Sequence, residues 1–382
     1  GRNMNKKVLM LAYTVYSIDA RIRREAETLL PHGCTVGIIV PKEGASPRDY
    51  YLDGVRVIEL DIAKYQGKSN RRYLLSYILF TIAASWRCAR MLLKGEMDVL
   101  HVHNMPNFLI FAGLVPRLAG KKTILDIHDT MPETYATKFS GSHPFLIRLL
   151  CWEEAVCCRL ANRLICVNHP QRDALVERGI DAGKITILLN VPDHKRFKLV
   201  EPRTPSEPHC ECLDTRAFSL VYHGTQAKRL GVDFIIRAVA LLAEEIPGIR
   251  FFNYGDGDDL EDFSRLGREL AINEHLQFSG GNVPMEELPE ILSKMDVGVV
   301  ANRRNPATDL MLPVKMLEYI ALDIPVVVPK LKTIRYYFDE TMVSWFEPEN
   351  VESLASAILD LYRNPEKMKS QAGKARKFLD RY

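Results

Sequence analysis

Histidines stand one residue apart in Val99-Leu-His-Val-His103, and a third lies in the later run Leu125-Asp-Ile-His-Asp-Thr-Met-Pro-Glu133. If each run is a strand with its exit loop, period-two geometry sends the imidazoles of His101 and His103 to one face, while His128, Asp129 and Glu133 gather at the next strand end. Ligands of open α/β sheets bind beyond the carboxyl ends of strands, which is where these groups fall. Taken alone, His-x-His with His-Asp could begin a metal-dependent hydrolase site on His101, His103 and His128. Pro and Asn follow instead of further ligands, and His169, His194, His223 and His275 lack ligand spacing. The balance therefore goes against a metal, and at least His101 is expected to be a satisfied structural histidine.

The second half carries a different chemistry. In Tyr222-His-Gly-Thr-Gln-Ala-Lys-Arg-Leu-Gly231, two glycines bracket Lys228 and Arg229 between a strand and a helix. This suits a diphosphate, since glycine lets backbone approach the ligand and a helix start adds partial positive charge. Tyr254-Gly-Asp-Gly-Asp-Asp259 offers Asp-x-Asp, yet Asp and Gly are ordinary turn residues ahead of a helix, and a turn is expected. Leu312-Pro-Val-Lys-Met-Leu-Glu-Tyr-Ile-Ala-Leu322 predicts a helix with Pro313 at its first position. Val314, Leu317, Ile320 and Ala321 then form the packed arc, with Lys315 and Glu318 on another. A surface ion pair would be the plain fate of those two. Their place one turn into a helix at a strand-end crevice favours a ligand, with Lys315 on phosphate oxygens and Glu318 on ribose hydroxyls.

The elements that must position these groups are short Val/Ile/Leu-rich runs alternating with helical patterns, the mark of parallel sheets covered on both faces. Strands are expected at 7–12, 35–40, 55–60, 99–103, 123–127, 163–167 and 185–189. A second series runs at 219–222, 250–254, 276–279, 297–301, 325–328 and 343–346. The fold class is α/β, with two doubly wound halves. Pro202, Pro205 and Pro208 mark a linker over 198–217. The domains are thus 4–197 and 218–364, with a final helical pattern over 365–382 that is still amphipathic at its last residue, so the natural stop is expected beyond it. No glycine follows the first strand in Tyr13-Thr-Val-Tyr-Ser17, which argues against a dinucleotide fingerprint or P-loop. Asp19, Arg21, Arg24 and Glu25 open the next helix, where Asp19 as a cap and a binding role are equally expected.

The net charge of +3 hides an asymmetry, because residues 1–200 hold 29 basic and 19 acidic side chains and the remainder 22 and 29. The front half is expected to face something anionic, such as a membrane surface or a phosphorylated ligand. Arg71 and Arg72 precede the apolar stretch 73–86, and Arg87, Arg90 and Lys94 follow it, a pattern of an interfacial helix too short to span. Pro144 to Trp152 around Arg148 is a second such stretch. Eight cysteines in no repeated spacing do not make a secreted disulfide framework, and neither a leader peptide nor an apolar run of spanning length is seen. A cytoplasmic location, peripheral on the inner face of the cell membrane, is expected.

These segments together resemble the GT-B nucleotide-sugar glycosyltransferases, of the retaining family 4 type that builds bacterial polysaccharides and glycolipids. The resemblance rests on Asp98 to His103, Asp126-Ile-His-Asp129 with Pro132-Glu133, Asn190-Val-Pro-Asp193 leading to Phe197, Tyr222 to Gly231, Tyr254 to Gly257, Phe278 to Pro284, and the 313–325 helix and strand. It implies two Rossmann-like domains facing across a cleft, the first for the acceptor and the second for the donor, with the last helix crossing back to the first. It further implies that Glu318, the second carboxylate of a Glu-x7-Glu motif, binds the ribose, and that Arg229 and Lys315 hold the diphosphate beside Gly224, Leu312 and Pro313. Asn282 and Val283 would meet the base, and His128 the transferred sugar, with Arg21, His103, Asp129 and Glu133 toward the acceptor. No cofactor and no metal are implied. The substrates are a nucleotide-diphosphate sugar, a UDP-sugar foremost, and a glycan or lipid-linked acceptor; an anionic membrane surface is a partner and nucleic acid is not. Where the motif has its first Glu this chain has Leu310, with Asp309 as a stand-in, and where a basic residue precedes the last loop glycine it has Leu230. That departure motivates the alternative of a catalytically weak nucleotide-sugar-binding or assembly protein of the same fold.

Overall fold

The computed structural model describes residues 6–65, 67, 69–138, 144–193, 196–197, 217–284 and 286–381. The chain divides into two compact units, 1–189 and 190–382. The division falls eight residues before the expected end of the first domain, and the expected linker lies almost wholly outside the described residues.

In the first unit the strands are β1 (Lys7–Leu11), β2 (Thr35–Lys42), β3 (Asp49–Leu52), β4 (Val55–Ala63), β5 (Val99–His103), β6 (Lys122–Ile127), β7 (Arg163–Cys166) and β8 (Ile185–Ile187). They form one sheet in the order β3-β4-β2-β1-β5-β6-β7-β8. All pairs are parallel except β3 with β4, an antiparallel hairpin at the sheet edge. The sequence reading passed over β3. Its signal was present in Asp53-Gly54, whose φ values of 51° and 85° are the left-handed pair that a two-residue hairpin turn requires. Leu9, Leu11, Leu100, Val102, Leu125 and Ile127 point to one face of the sheet and join Phe80, Ala84 and Cys88 of helix Asn70–Leu93 in a buried core. Met10, Val36 and Ile38 point to the other face, with Ile22 and Ala26 of helix Ala20–Leu29.

The second unit repeats the plan with β9 (Ser219–His223), β10 (Arg250–Tyr254), β11 (Leu276–Phe278), β12 (Val297–Val299), β13 (Val326–Pro329) and β14 (Ser344–Phe346). The order is β11-β10-β9-β12-β13-β14, all parallel. Each sheet reverses its direction of winding once, between β1 and β5 and between β9 and β12, and a crevice opens at the carboxyl ends of the strands at such a point. The final helix, Pro365–Leu379, was expected to cross back to the first domain. Within the second unit its Phe378 packs on Tyr337 and Phe338, Gln371 bonds Ser344 and the carbonyls of Glu340 and Val343, and Arg376 donates to the Ala321 carbonyl.

Candidate active site

In the first domain β5 and β6 end side by side, with His103 in register with Asp126. His101 and His103 do share a face, their rings 4.2 Å apart. The Asp126 carboxylate lies 3.3 Å from His101 Nε2, and His103 Nδ1 lies 3.1 Å from His128 Nε2. From helix Ala20–Leu29, which Asp19 caps by accepting from the Ile22 N–H, Arg21 reaches across to Asp126 Oδ1 at 2.8 Å and to Glu25 Oε1 at 2.9 Å. Burial alone would raise the Asp126 carboxyl, yet the His101 hydrogen bond and the adjoining positive groups hold it well below the usual carboxylate range. Burial, reinforced by Asp126, pushes Glu25 up to about 7. Burial lowers His128 to about 4 against the pull of Asp126, and holds His103 well below the ordinary imidazole value.

This geometry corrects several expectations. His103 is enclosed, with a side-chain exposure of 0 %, so it reaches an acceptor only through His128. Arg21 is committed to Asp126 and Glu25. Glu133 is committed to Arg178, which also pairs with buried Glu154. Asp129 is exposed, and His128 is partly accessible with its backbone N–H held by Asn104 Oδ1. The three histidines of the hydrolase reading are not the set that converges. Glu25, His101, His103 and Asp126 bring one donor atom each within 4.8 Å of one another, a set chemically able to hold a cation. Arg21 already lies against both carboxylates, so the cluster balances its charge internally, and His101 is the satisfied structural histidine expected.

In the second domain β9 ends at His223 and runs into the glycine loop, and helix Val314–Ala321 begins beside it with Pro313 as its cap instead of its first residue. Met316, Leu317, Tyr319, Ile320 and Ala321 are buried, while Val314, Lys315 and Glu318 are partly accessible. Lys315 and Glu318 form no pair with each other. Lys315 Nζ sits 2.6 Å from the Tyr222 hydroxyl and 3.8 Å from the centre of its ring. Desolvation there lowers the ammonium to about 7, against the pull of Glu318. Glu318 Oε2 lies 2.6 Å from His223 Nε2. A Cβ at Gly224 would come within 3.3 Å of Lys315 Nζ, so the glycine keeps the space around that ammonium open.

Gly231, at φ 74°, could carry no side chain at all, because a Cβ would lie 1.8 Å from the Ala301 carbonyl oxygen. Arg229 before it is exposed, as are Asn282 and, in part, Val283. The Asp-x-Asp run is a turn, as expected: Asp256 accepts from the Gly257 N–H and Asp259 from the Lys228 N–H. Leu310 and Leu312 are buried. The Oδ1 of Asp309, the expected stand-in for the missing acid, accepts the Lys332 N–H at 3.1 Å at the start of helix Lys332–Tyr337. Asp126, Asn104, His223 and Tyr319 were given no role of their own from the sequence, because each acts through a partner distant in the chain, and Glu25 was named only among the residues that open its helix.

Known proteins resemble this chain in sequence family and in fold. The family model described as glycosyl transferase 4-like domain matches residues 18–190, and that of glycosyl transferases group 1 matches residues 217–364. Among solved structures, sucrose-phosphate synthase from Thermosynechococcus elongatus superposes with a TM-score of 0.75 at 17% identity, over 98% of this chain and 94% of that one. Anabaena HepE in complex with UDP gives 0.69 at 14%, over 97% and 94%. WaaG, a glycosyltransferase of lipopolysaccharide biosynthesis, gives 0.69 at 17%, over 98% and 95%. The fold and the paired matches define a GT-B glycosyltransferase. Within that class the chain belongs to the family 4 type. A curated relative, the GDP-mannose-dependent α-(1-6)-phosphatidylinositol monomannoside mannosyltransferase of Mycolicibacterium smegmatis, is 30% identical over 143 residues, which is 36% of this chain and 36% of that protein.

Proposed function

We propose that this glycosyltransferase moves a sugar from a nucleotide-diphosphate sugar, a UDP-sugar foremost, to a lipid-linked or glycan acceptor, with retention at the anomeric carbon and without a metal. The observation that carries the reading is the buried-side ammonium of Lys315 beside Gly224, one helical turn from a carboxylate that His223 holds. Negative charge develops on the departing diphosphate, and Lys315, exposed Arg229 and the helix start at Pro313 are preorganised cationic groups for it, a large catalytic term in a site shielded from water. The UDP complex of the HepE neighbour supports a uridine donor, and the mannosyltransferase relative makes GDP-mannose the second candidate. A screen of nucleotide sugars by thermal stabilisation tests the donor, since a ligand at a hundred times its Kd adds about 2.7 kcal/mol. Donor binding without hydrolysis or transfer would favour the binding-protein alternative that Leu310 motivates.

A lipid-linked acceptor at an anionic membrane accounts for a surface of the first domain. Helix Asn70–Leu93 leaves Leu74, Leu75, Ile78, Leu79, Ile82 and Trp86 exposed, and helix Pro144–Leu160 leaves Phe145, Leu149 and Trp152 exposed. Both helices pack against the segment Asn107–Gly113, so these side chains belong to one side of the sheet. The stripe of exposed large apolar side chains along helix Asn70–Leu93 is uncommon on a monomer surface. Arg71, Arg72 and Arg90 are its basic neighbours, each worth about 1 kcal/mol near an anionic leaflet. Among the described residues no helix is long and apolar enough to cross a membrane. Flotation with liposomes of rising anionic-lipid content should show binding that high salt weakens. No binding at low salt would assign the acceptor to solution.

A further inference from the structure

The contacts around Glu318 fix more than its position. The hydroxyl of buried Tyr319 accepts the backbone N–H of His223 at 3.1 Å and lies 2.9 Å from His223 Nδ1. A phenol has one proton to give, and Nδ1 is the acceptor within reach of it. With that proton given to Nδ1, the ring carries its hydrogen on Nε2, pointed at Glu318 Oε2 at 2.6 Å, the tautomer we assign because it satisfies all three contacts. The ring of Tyr319 is itself seated by Gly298 in the interior of β12, where a Cβ would come within 2.3 Å of it. A glycine weakens a strand interior, and here it marks the close approach of an aromatic ring.

We propose that His223 is a positioning residue for ribose recognition, its tautomer and orientation set by Tyr319, so that Glu318 meets the nucleotide with one oxygen already held and the other turned to the two ribose hydroxyls. The Nε2–H donor restrains the carboxylate rotamer, which removes the ordering cost that a free glutamate would meet on binding. The inference rests on the reading that Glu318 binds the ribose. His223, unlike Glu318, touches no substrate.

The test uses UDP or GDP, whichever the full chain binds more tightly, against the corresponding 2′,3′-dideoxynucleotide, with Kd measured by calorimetry. Wild type should favour the ribonucleotide by roughly tenfold or more, the worth of a hydrogen bond to a charged group. Glu318→Ala should abolish that preference. His223→Phe should reduce it severalfold, Tyr319→Phe should reduce it less, and His223→Gln, which restores an N–H donor, should recover part of it. Dideoxynucleotide affinity should stay constant throughout, showing that base and diphosphate contacts survive. If Glu318→Ala loses the preference while His223→Phe and Tyr319→Phe keep it, the positioning role is wrong and the ribose reading stands. If Glu318→Ala keeps it, the ribose reading falls and the inference with it. An equal loss for both nucleotides in His223→Phe would make the histidine merely structural. Tyr319→Phe, which deletes one hydroxyl and keeps the ring over Gly298, decides the case if His223→Phe does not fold.

Discussion

Lys315 gives nucleotide-sugar binding a pH dependence whose size follows from its surroundings. With its ammonium lowered to about 7, it is half protonated in the empty site at pH 7 and about one part in a hundred protonated at pH 9. A diphosphate brought to Nζ favours the charged form and returns the lysine toward its ordinary value, so binding above pH 7 requires proton uptake. The association constant should be nearly flat below pH 6 and fall by about fiftyfold between pH 7 and 9, its slope approaching tenfold, or about 1.4 kcal/mol, per unit. Uptake should rise from about half a proton at pH 7 to nearly one at pH 8.5. An intact nucleotide sugar is the right probe, because its diphosphate diester holds its charge across this range, and binding is better measured than turnover, since Glu25 in the other domain is pushed up to about 7 as well. Calorimetry in two buffers of different ionisation enthalpy counts the protons directly. Lys315→Arg keeps its charge and should flatten the profile. Constant affinity from pH 6 to 9 with no proton uptake would refute the placement of the diphosphate on Lys315.

The same shift makes a stability prediction. Lys315→Met should raise the melting temperature, most at pH 6 and progressively less toward pH 10, because the folded lysine titrates at about 7 and the unfolded one near 10.5, so the folded chain carries the full cost of a desolvated cation only below pH 7; a gain independent of pH would contradict this. Arg178→Ala leaves buried Glu154 and Glu133 without their shared cation and should cost about 3 kcal/mol at pH 8. Denaturation should show a smaller loss at pH 6, since Glu154, already raised to about 7 by burial, then takes up a proton. Gly231→Ala should cost about 3 kcal/mol or more, or displace the 224–231 loop and abolish donor binding, because its Cβ would collide with the Ala301 carbonyl at a positive φ; wild-type melting and binding would show that the loop yields freely.

What the sequence determined by itself is whatever short-range rules govern. Period-two apolar runs located the strands, with β3 passed over, and period 3.6 set Leu317, Ile320 and Ala321 against Lys315 and Glu318, because burial of one face is a local pattern written into consecutive residues. Gly224 and Gly231 were legible as the glycines of a tight strand-to-helix loop, and Asp256 and Asp259 as turn formers, because turn chemistry is local as well. The Asp-Gly hairpin that makes β3 was equally local and could have been read. The pairings were not legible. Arg21 and Glu25 are an i,i+4 helix pair, but Arg21 meets Asp126, His103 meets His128, and His223 meets Glu318 and Tyr319, each bringing together side chains that no spacing rule relates. Asp309 shows the limit plainly, since nothing in its neighbourhood of the sequence foretold that its Oδ1 would accept the Lys332 N–H at the start of helix Lys332–Tyr337. A side chain's type fixes what it can bond, but which of several partners it takes depends on the sheet order and on which helix is laid over which strand end, and those are decided when distant segments pack.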